Sequence, residues 1–239
     1  MRTPYNSTLI DDCLSCQVRK KGFFCELPEE LLKKLETLKY TTLFPKGVLL
    51  FVEGQSPRGV FMLCTGRVKL SACSSDGKVI ITDVAEAGQV LGLSAVISGQ
   101  AYEVTAETLA PCQVNFIKSE DLLPFLSENN YMCLRVAEHL SNDYRNAHAQ
   151  VCSLGLSHST SEKLAKLILE WCAQNGNEAD RGISLKLTLT HEEIAQIIGT
   201  SRETVTRLFG EFKHSGVVHI KGSTLIVRNK AALEEMVNS

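Results

Sequence analysis

A chain of 239 residues is long enough for two domains with separate cores. Its formal net charge of −2 and pI near 6.3 exclude a general polyanion binder, so any nucleic-acid contact must come from a local basic face and weaken as salt rises. No run of about 18 apolar residues is present, and no apolar secretion core follows Met1, which points to a cytoplasmic protein without a membrane partner.

The first 28 residues are polar and hold three of the nine cysteines, as Cys13-x2-Cys16-x8-Cys25. In a reducing compartment an odd cysteine count reads as thiols, metal ligands or redox groups and not as a disulfide framework. A CxxC pair by itself is common, and with Cys25 and one more ligand it could hold zinc.

From Glu29 a short helix carries Leu31, Leu32, Leu35 and Leu38. A glycine-punctuated series of strands follows, over 48–52, 60–63, 68–73, 79–84, 104–108 and 114–117, with turns near Gly47, Gly54, Gly66, Gly77 and Gly88. Short strands at this spacing predict a compact all-β roll or barrel over 29–128. Cys112 follows Pro111 ahead of the last strand. Cys64, Cys73, Cys133, Cys152 and Cys172 lie in apolar or helical patterns and read as small buried hydrophobes.

A long helix is predicted over 129–156. Cys133, Ala137, Leu140, Tyr144, Ala147, Val151 and Leu154 step by four and three residues, while Asp143, Arg145 and Gln150 lie off that line. This spacing is a coiled-coil seam and implies a homodimer. Ser157–Ser161 breaks the pattern as a hinge, Glu162–Cys172 forms the next helix, and Gln174–Gly182 reads as a loop.

The C-terminal part, 157–239, contains the most specific motif. Thr190 followed by Glu193 fits a capping box; Ile194, Ile197 and Ile198 give the helix one apolar face, and Gly199 supplies a turn. Ser201 then caps a second helix. At 100° per residue its Arg202, Glu203, Thr206 and Arg207 share one arc, opposite Val205, Leu208, Phe209 and Phe212. Arginine can give two hydrogen bonds to guanine and glutamate can accept one from cytosine, so this arc can read DNA sequence. Val218–Ile220 and Leu225–Val227 around Lys221-Gly-Ser-Thr224 predict a β-hairpin wing. From Thr200 to Lys230 six basic residues face two acidic ones, a local net of +4. Thr190, Ser201 and Lys221 join the recognition-helix residues as expected DNA contacts.

Taken in this order, the parts resemble the Crp/Fnr family of bacterial transcription regulators, over nearly the whole chain. The resemblance implies an α+β fold: an N-terminal β-roll of the cyclic-nucleotide-binding jelly-roll type, a long dimerisation helix and a C-terminal winged helix-turn-helix. It also implies a homodimer on a double-stranded inverted repeat, with RNA polymerase as a further partner. Arg202, Glu203 and Arg207 look like the Crp recognition helix. The Fnr branch has equivalents of Glu203 and Arg207 and a hydroxyl at Thr206, without the arginine at 202. A TGA-like half-site core follows from that similarity.

The family's cyclic-nucleotide receptors hold the phosphate with an Arg-Ser or Arg-Thr pair in the stretch matching Gly88–Tyr102, yet no arginine occurs between Arg67 and Arg135. A cyclic phosphate would lack its guanidinium partner, so cyclic AMP is not expected. The chain is more similar to the oxygen-responsive Fnr branch, in which three N-terminal cysteines and one distant cysteine ligate a [4Fe–4S] cluster. By that similarity Cys13, Cys16, Cys25 and Cys112 would be the four thiolates, although eight residues before Cys25 is longer than the Fnr spacing. Oxygen or nitric oxide would then act through the cluster on the dimer. The alternative is a Crp/Fnr-type regulator answering to thiol redox state, zinc or another small ligand. No phosphate loop, Ser/His/Asp set or HExxH motif supports an enzyme.

Overall fold

The computed structural model describes residues 12–16, 22–179 and 182–238. Most of the expected 1–28 segment therefore lies outside the described residues. The chain divides into two compact units, Met1–Asn146 and Ala147–Ser239.

The first unit begins with the short turn 22–28 and helix α1 (Glu29–Leu38). Eight strands follow: β1 (Tyr40–Phe44), β2 (Leu49–Phe51), β3 (Gly59–Thr65), β4 (Arg67–Cys73), β5 (Val79–Glu86), β6 (Val90–Leu91), β7 (Thr105–Thr108) and β8 (Cys112–Lys118). They form two four-stranded sheets, β1-β8-β3-β6 and β2-β7-β4-β5, with antiparallel pairing throughout. A six-residue helix α2 (Leu93–Ser98) interrupts the strands and α3 (Ser119–Ser127) follows them. The result is the expected β-roll, with two strands, β1 and the two-residue β6, that the glycine pattern did not reveal.

Because successive strand residues point to opposite faces, the β1-β8-β3-β6 sheet separates two cores. Leu63, Val114 and Cys112 face the interior of the roll with Phe51, Val68, Ala85, Tyr102 and Ala106. Tyr102 stacks on Phe51 with ring centres 4.1 Å apart and its hydroxyl donates to the Gly59 carbonyl at 2.7 Å. Val60, Met62 and Ile117 face outward and are covered by Leu32 and Leu35 of α1, by α3, and by Met132 and Val136 of the following helix. Phe24, fully buried, belongs to this outer core, and Cys13 packs on it.

That following helix, α4, runs from Asn130 to Leu156. Only the stripe of Met132 and Val136 is buried, with Leu140 partly so. The expected seam lies beside that stripe. Ala137, Tyr144, Ala147 and Val151 are exposed, while Leu140 and Leu154 are half-buried. Tyr144 and Val151 are 71% and 69% exposed, large values for apolar side chains on one line of a helix.

In the second unit, α5 (Thr160–Asn175) starts inside the stretch read as a hinge, because the Ser159 hydroxyl accepts the Glu162 N–H at 3.1 Å and caps it. The stretch read as a loop instead contains β9 (Asn177–Ala179) and leads into β10 (Gly182–Lys186); residues 180–181 lie outside the described ones. Helices α6 (His191–Ile198) and α7 (Arg202–His214) follow, then β11 (Val218–Lys221), β12 (Thr224–Val227) and α8 (Lys230–Asn238). The hairpin wing is thus half of a four-stranded antiparallel sheet, β11-β12-β10-β9. Ile194, Ile198, Val205, Leu208, Phe209 and Phe212 fill a core with Leu164, Ile168 and Leu225.

Trp171, the only tryptophan, packs against this core and reports on it. Ile194→Ala removes a fully buried side chain and is expected to cost about 2–5 kcal/mol. Urea unfolding followed by Trp171 fluorescence should show the midpoint fall by that equivalent; an unchanged midpoint would remove Ile194 from the core.

Candidate functional site

The helix-turn-helix forms as its residues dictate. The Thr190 side chain accepts the Glu193 N–H at 3.2 Å, and the Glu193 carboxylate accepts the Thr190 N–H at 2.7 Å, completing the capping box. Gly199 ends α6 at φ +67°, a left-handed conformation that favours glycine. Ser201 accepts the Thr204 N–H and starts α7. Burial of Val205, Leu208, Phe209 and Phe212 then turns Arg202, Glu203, Thr206 and Arg207 outward, where the four line one open concavity.

The electrostatics of that face suit base reading. The Glu203 carboxyl is held below the usual carboxylate range by its own backbone N–H and by Ser201, with Arg202 adding to the effect. It is therefore an ionised acceptor near neutral pH. Arg207 pairs with Glu211 one turn further on, an exposed contact worth about 0–1 kcal/mol that a base or phosphate can displace. Thr206 donates to the Arg202 carbonyl at 3.0 Å and lies 2.8 Å from His191 Nδ1. His191 also stacks on Phe209 with ring centres 5.2 Å apart. Sequence reading missed His191; its place directly after the Thr190 cap was the available signal. Lys221 is exposed at the end of β11, and Thr190 and Ser201 are exposed at the two helix starts.

The cysteines sort onto two sides of the β3–β8 wall. Cys13 lies against the end of α1: its N–H donates to Glu36 Oε1 at 2.7 Å and Lys39 Nζ donates to its Sγ at 3.2 Å. Cys25 belongs to the 22–28 turn, which is anchored to the β5–β6 connection by Phe23 N–H donating to the Gly88 carbonyl at 3.3 Å. Burial pushes the Cys25 thiol up to about 11, and negative charge on Cys16 or Cys13 would push the same way. Burial likewise raises the Cys13 thiol, against the pull of Lys39.

Cys112, the expected fourth member, is not brought to this group. It starts β8 on the inner face, is 2% exposed, and has Sγ within 3.1 Å of the Ala110 carbonyl and 3.4 Å of the Arg67 carbonyl. Its sulfur is pressed against Gly66, where an added Cβ would come within 2.5 Å of it. The period of two along β8 is the physical reason, since the residues of this strand that face the N-terminal segment are Gln113, Asn115 and Ile117. Among the described residues, no three His, Cys, Asp or Glu side chains are close enough to hold a single metal ion.

The 22–28 turn also grips α4. Arg135 Nη2 donates to the Phe23 carbonyl at 3.0 Å and lies 3.4 Å from Glu26 Oε2, with its guanidinium 5.6 Å from the Phe23 ring centre. Phe23 stacks on His139 at 4.7 Å. Sequence reading singled out none of these residues, because their pairing spans more than a hundred positions.

Residues 41–129 match the cyclic nucleotide-binding domain family and residues 162–236 the Crp-like helix-turn-helix domain family. That pair of domains, in this order around α4, decides the assignment. The chain belongs to the Crp/Fnr family of transcription regulators. This Crp/Fnr regulator is 25% identical to the Escherichia coli fumarate and nitrate reduction regulatory protein, over 94% of this chain and 89% of that one. It is 27% identical to the global nitrogen regulator of Synechococcus elongatus, over 80% and 87% of the two chains. The structure of FixK2 from Bradyrhizobium japonicum superposes with a TM-score of 0.73 at 21% identity, over 83% of this chain and 96% of that one, a likeness of fold. The Crp/Fnr regulator thus binds DNA through its helix-turn-helix and dimerises as the family does, and the family's members are regulators, not enzymes. Among its described residues no helix is long and apolar enough to cross a membrane.

Proposed function

We propose that this regulator couples operator binding to oxygen or nitric oxide through a [4Fe–4S] cluster, with Cys13, Cys16 and Cys25 as three of its ligands. The carrying observation is that Cys13 packs on the outer core with Lys39 donating to its sulfur, while Cys25 stands in the 22–28 turn that Arg135 of α4 holds. The donor set fits such a group: thiolates are its ordinary ligands, and a lysine hydrogen bond and partial burial are the surroundings that tune them. When bound, the cluster would supply a redox-sensitive centre open to attack by oxygen or nitric oxide.

This chain's own residues would carry the signal. Cys25 lies two residues after Phe23, in the turn whose Phe23 carbonyl and ring are held by Arg135 and His139 of α4. Release of the thiols would free that turn and change how α4 presents its seam of Ala137, Leu140, Tyr144, Ala147, Val151 and Leu154. A tenfold change in dimerisation needs only about 1.4 kcal/mol. A dimer carries two recognition helices and so matches an inverted repeat. TGA-like half-sites and contact with RNA polymerase belong to the same proposal.

A cyclic nucleotide as effector is less well supported. The roll offers no guanidinium between Arg67 and Arg135, and its interior is filled by Phe51, Tyr102 and Cys112. A mononuclear zinc site asks for sulfurs within about 3.8 Å of one another, given a tetrahedron with Zn–S near 2.3 Å; the described side chains are not drawn together that closely.

Protein purified without oxygen is expected to contain about four iron and four sulfide per chain. Its operator affinity should fall at least about tenfold on exposure to air, or about 1.4 kcal/mol. Absence of sulfide would overturn the cluster reading.

For the DNA face, Arg207→Ala is expected to cost about 1–3 kcal/mol on the operator and to flatten preference at one base position. Lys221→Ala should weaken binding evenly across sequences and lower the salt slope by about one. Anisotropy titrations over a range of salt would separate the two; equal loss on operator and random DNA for Arg207→Ala would remove it from base reading.

A further inference from the structure

The cysteine that completes the group is not the one expected. Cys64 lies on β3 in alternation with Val60 and Met62, whose side chains belong to the outer core. Phe61 and Leu63, the intervening residues, pack in the roll interior with Cys112. A bulge falls between Leu63 and Thr65, and Thr65 beyond it pairs with Gln113, which alternates with Ile117 of the outer core; Cys64 thus leaves the inner face that Leu63 shares with Cys112. The Cys64 sulfur is half-buried and, among the described residues, makes a weak contact of 3.8 Å to the Met62 carbonyl.

A contact path of the outer face leads from it to Cys25. Gly22 is wedged between the Cys25 sulfur and the β5–β6 connection, where an added Cβ would come within 2.7 Å of that sulfur and 2.8 Å of the Gly88 carbonyl, and the Gly88 N–H donates at 2.7 Å to the carbonyl of Leu63, the residue before Cys64. The Cys112 sulfur lies instead by the Arg67 and Ala110 carbonyls.

Resting on the cluster reading above, we infer that Cys64 is the fourth thiolate, so that Cys13, Cys16, Cys25 and Cys64 form the binding site and Cys112 is a core residue. This ligand set joins two distinct parts of the roll. Cys64 sits one residue past Leu63, whose N–H and carbonyl are bonded to Gln89 and Gly88 of the β5–β6 connection, and Phe23 is bonded to the same Gly88. A group held by Cys25 and Cys64 would thus bridge β3 to the turn that Arg135 holds on α4. Each thiol gives up one proton as it ligates, and no electron need be exchanged with the protein in that step.

The test compares Cys64→Ala, Cys64→Asp and Cys112→Ala in the full chain, prepared without oxygen. Iron and sulfide are assayed, and helix content by circular dichroism checks folding. Cys112→Ala is expected to retain about four iron and four sulfide per chain, and Cys64→Ala to lose most of both. Cys64→Asp, which restores an anionic ligand, should recover iron with an altered absorption spectrum, a result that repair of packing alone would not give. Loss of iron in Cys112→Ala, or full retention in Cys64→Ala, overturns the assignment.

Should the unaltered chain hold no sulfide, the cluster reading fails, and a bifunctional maleimide decides the grouping of the thiols separately. Links from Cys64 to Cys13, Cys16 or Cys25, found by peptide mass spectrometry in the unaltered chain and in Cys112→Ala, would support the four-thiol group. Links from those cysteines to Cys112, or none to Cys64, would overturn it.

Discussion

The pairing of β3 with β8 is the constraint on which the rest of the molecule depends. These strands run antiparallel from Gly59 opposite Lys118 to Thr65 opposite Gln113. Their inner face closes the roll around Tyr102, and their outer face supports α1, the 22–28 turn and the start of α4. A one-residue slip would exchange the two faces. It would bury Gln113 and Asn115 in the roll and expel Cys112 and Val114. The register therefore fixes which thiols can meet and which helix stands beside them.

From that wall the proposed signal path is short. The turn holding Cys25 is bonded on one side to the β5–β6 connection and on the other to Arg135 and His139. The same helix has Met132 and Val136 buried and Tyr144 and Val151 exposed for a partner. His139 Nε2 and Arg135 Nε are buried without hydrogen-bond partners among the described residues, although His139 lies 3.7 Å from Asp143. Underfilled polar groups at such a contact cost free energy. In the proposed coupling, a modest change at the thiols would be enough to release this grip.

Much of this was legible in the sequence, and the reasons differ by element. The helix-turn-helix was readable because its determinants are local: Thr190 with Glu193, Gly199, Ser201 and an apolar arc. The roll was readable from its glycine turns. Strand β1 was not, because Tyr40 to Phe44 follows α1 with no turn signal, and α3 was obscured by Pro124 inside it. Strands β9 and β10 were hidden in a polar stretch whose pairing with β12 is non-local. The three N-terminal cysteines stood out by spacing. Cys64 read as a small core residue because its face depends on the register of β3, and a register shift between Leu63 and Thr65 hides the parity. Cys112 drew attention through family resemblance, whereas its strand parity directs it inward.

The central claim is that the thiol site acts on the dimer helix through the 22–28 turn, and Arg135 is where that claim can be cut. Arg135→Ala leaves every proposed ligand in place and removes the bond to the Phe23 carbonyl and the contact with Glu26. Operator affinity of this variant, measured without oxygen and again after air, is the most direct measurement. The account predicts unchanged iron and sulfide content with an air-induced loss of affinity much smaller than that of the unaltered chain. An equal air-induced loss in both proteins would contradict it.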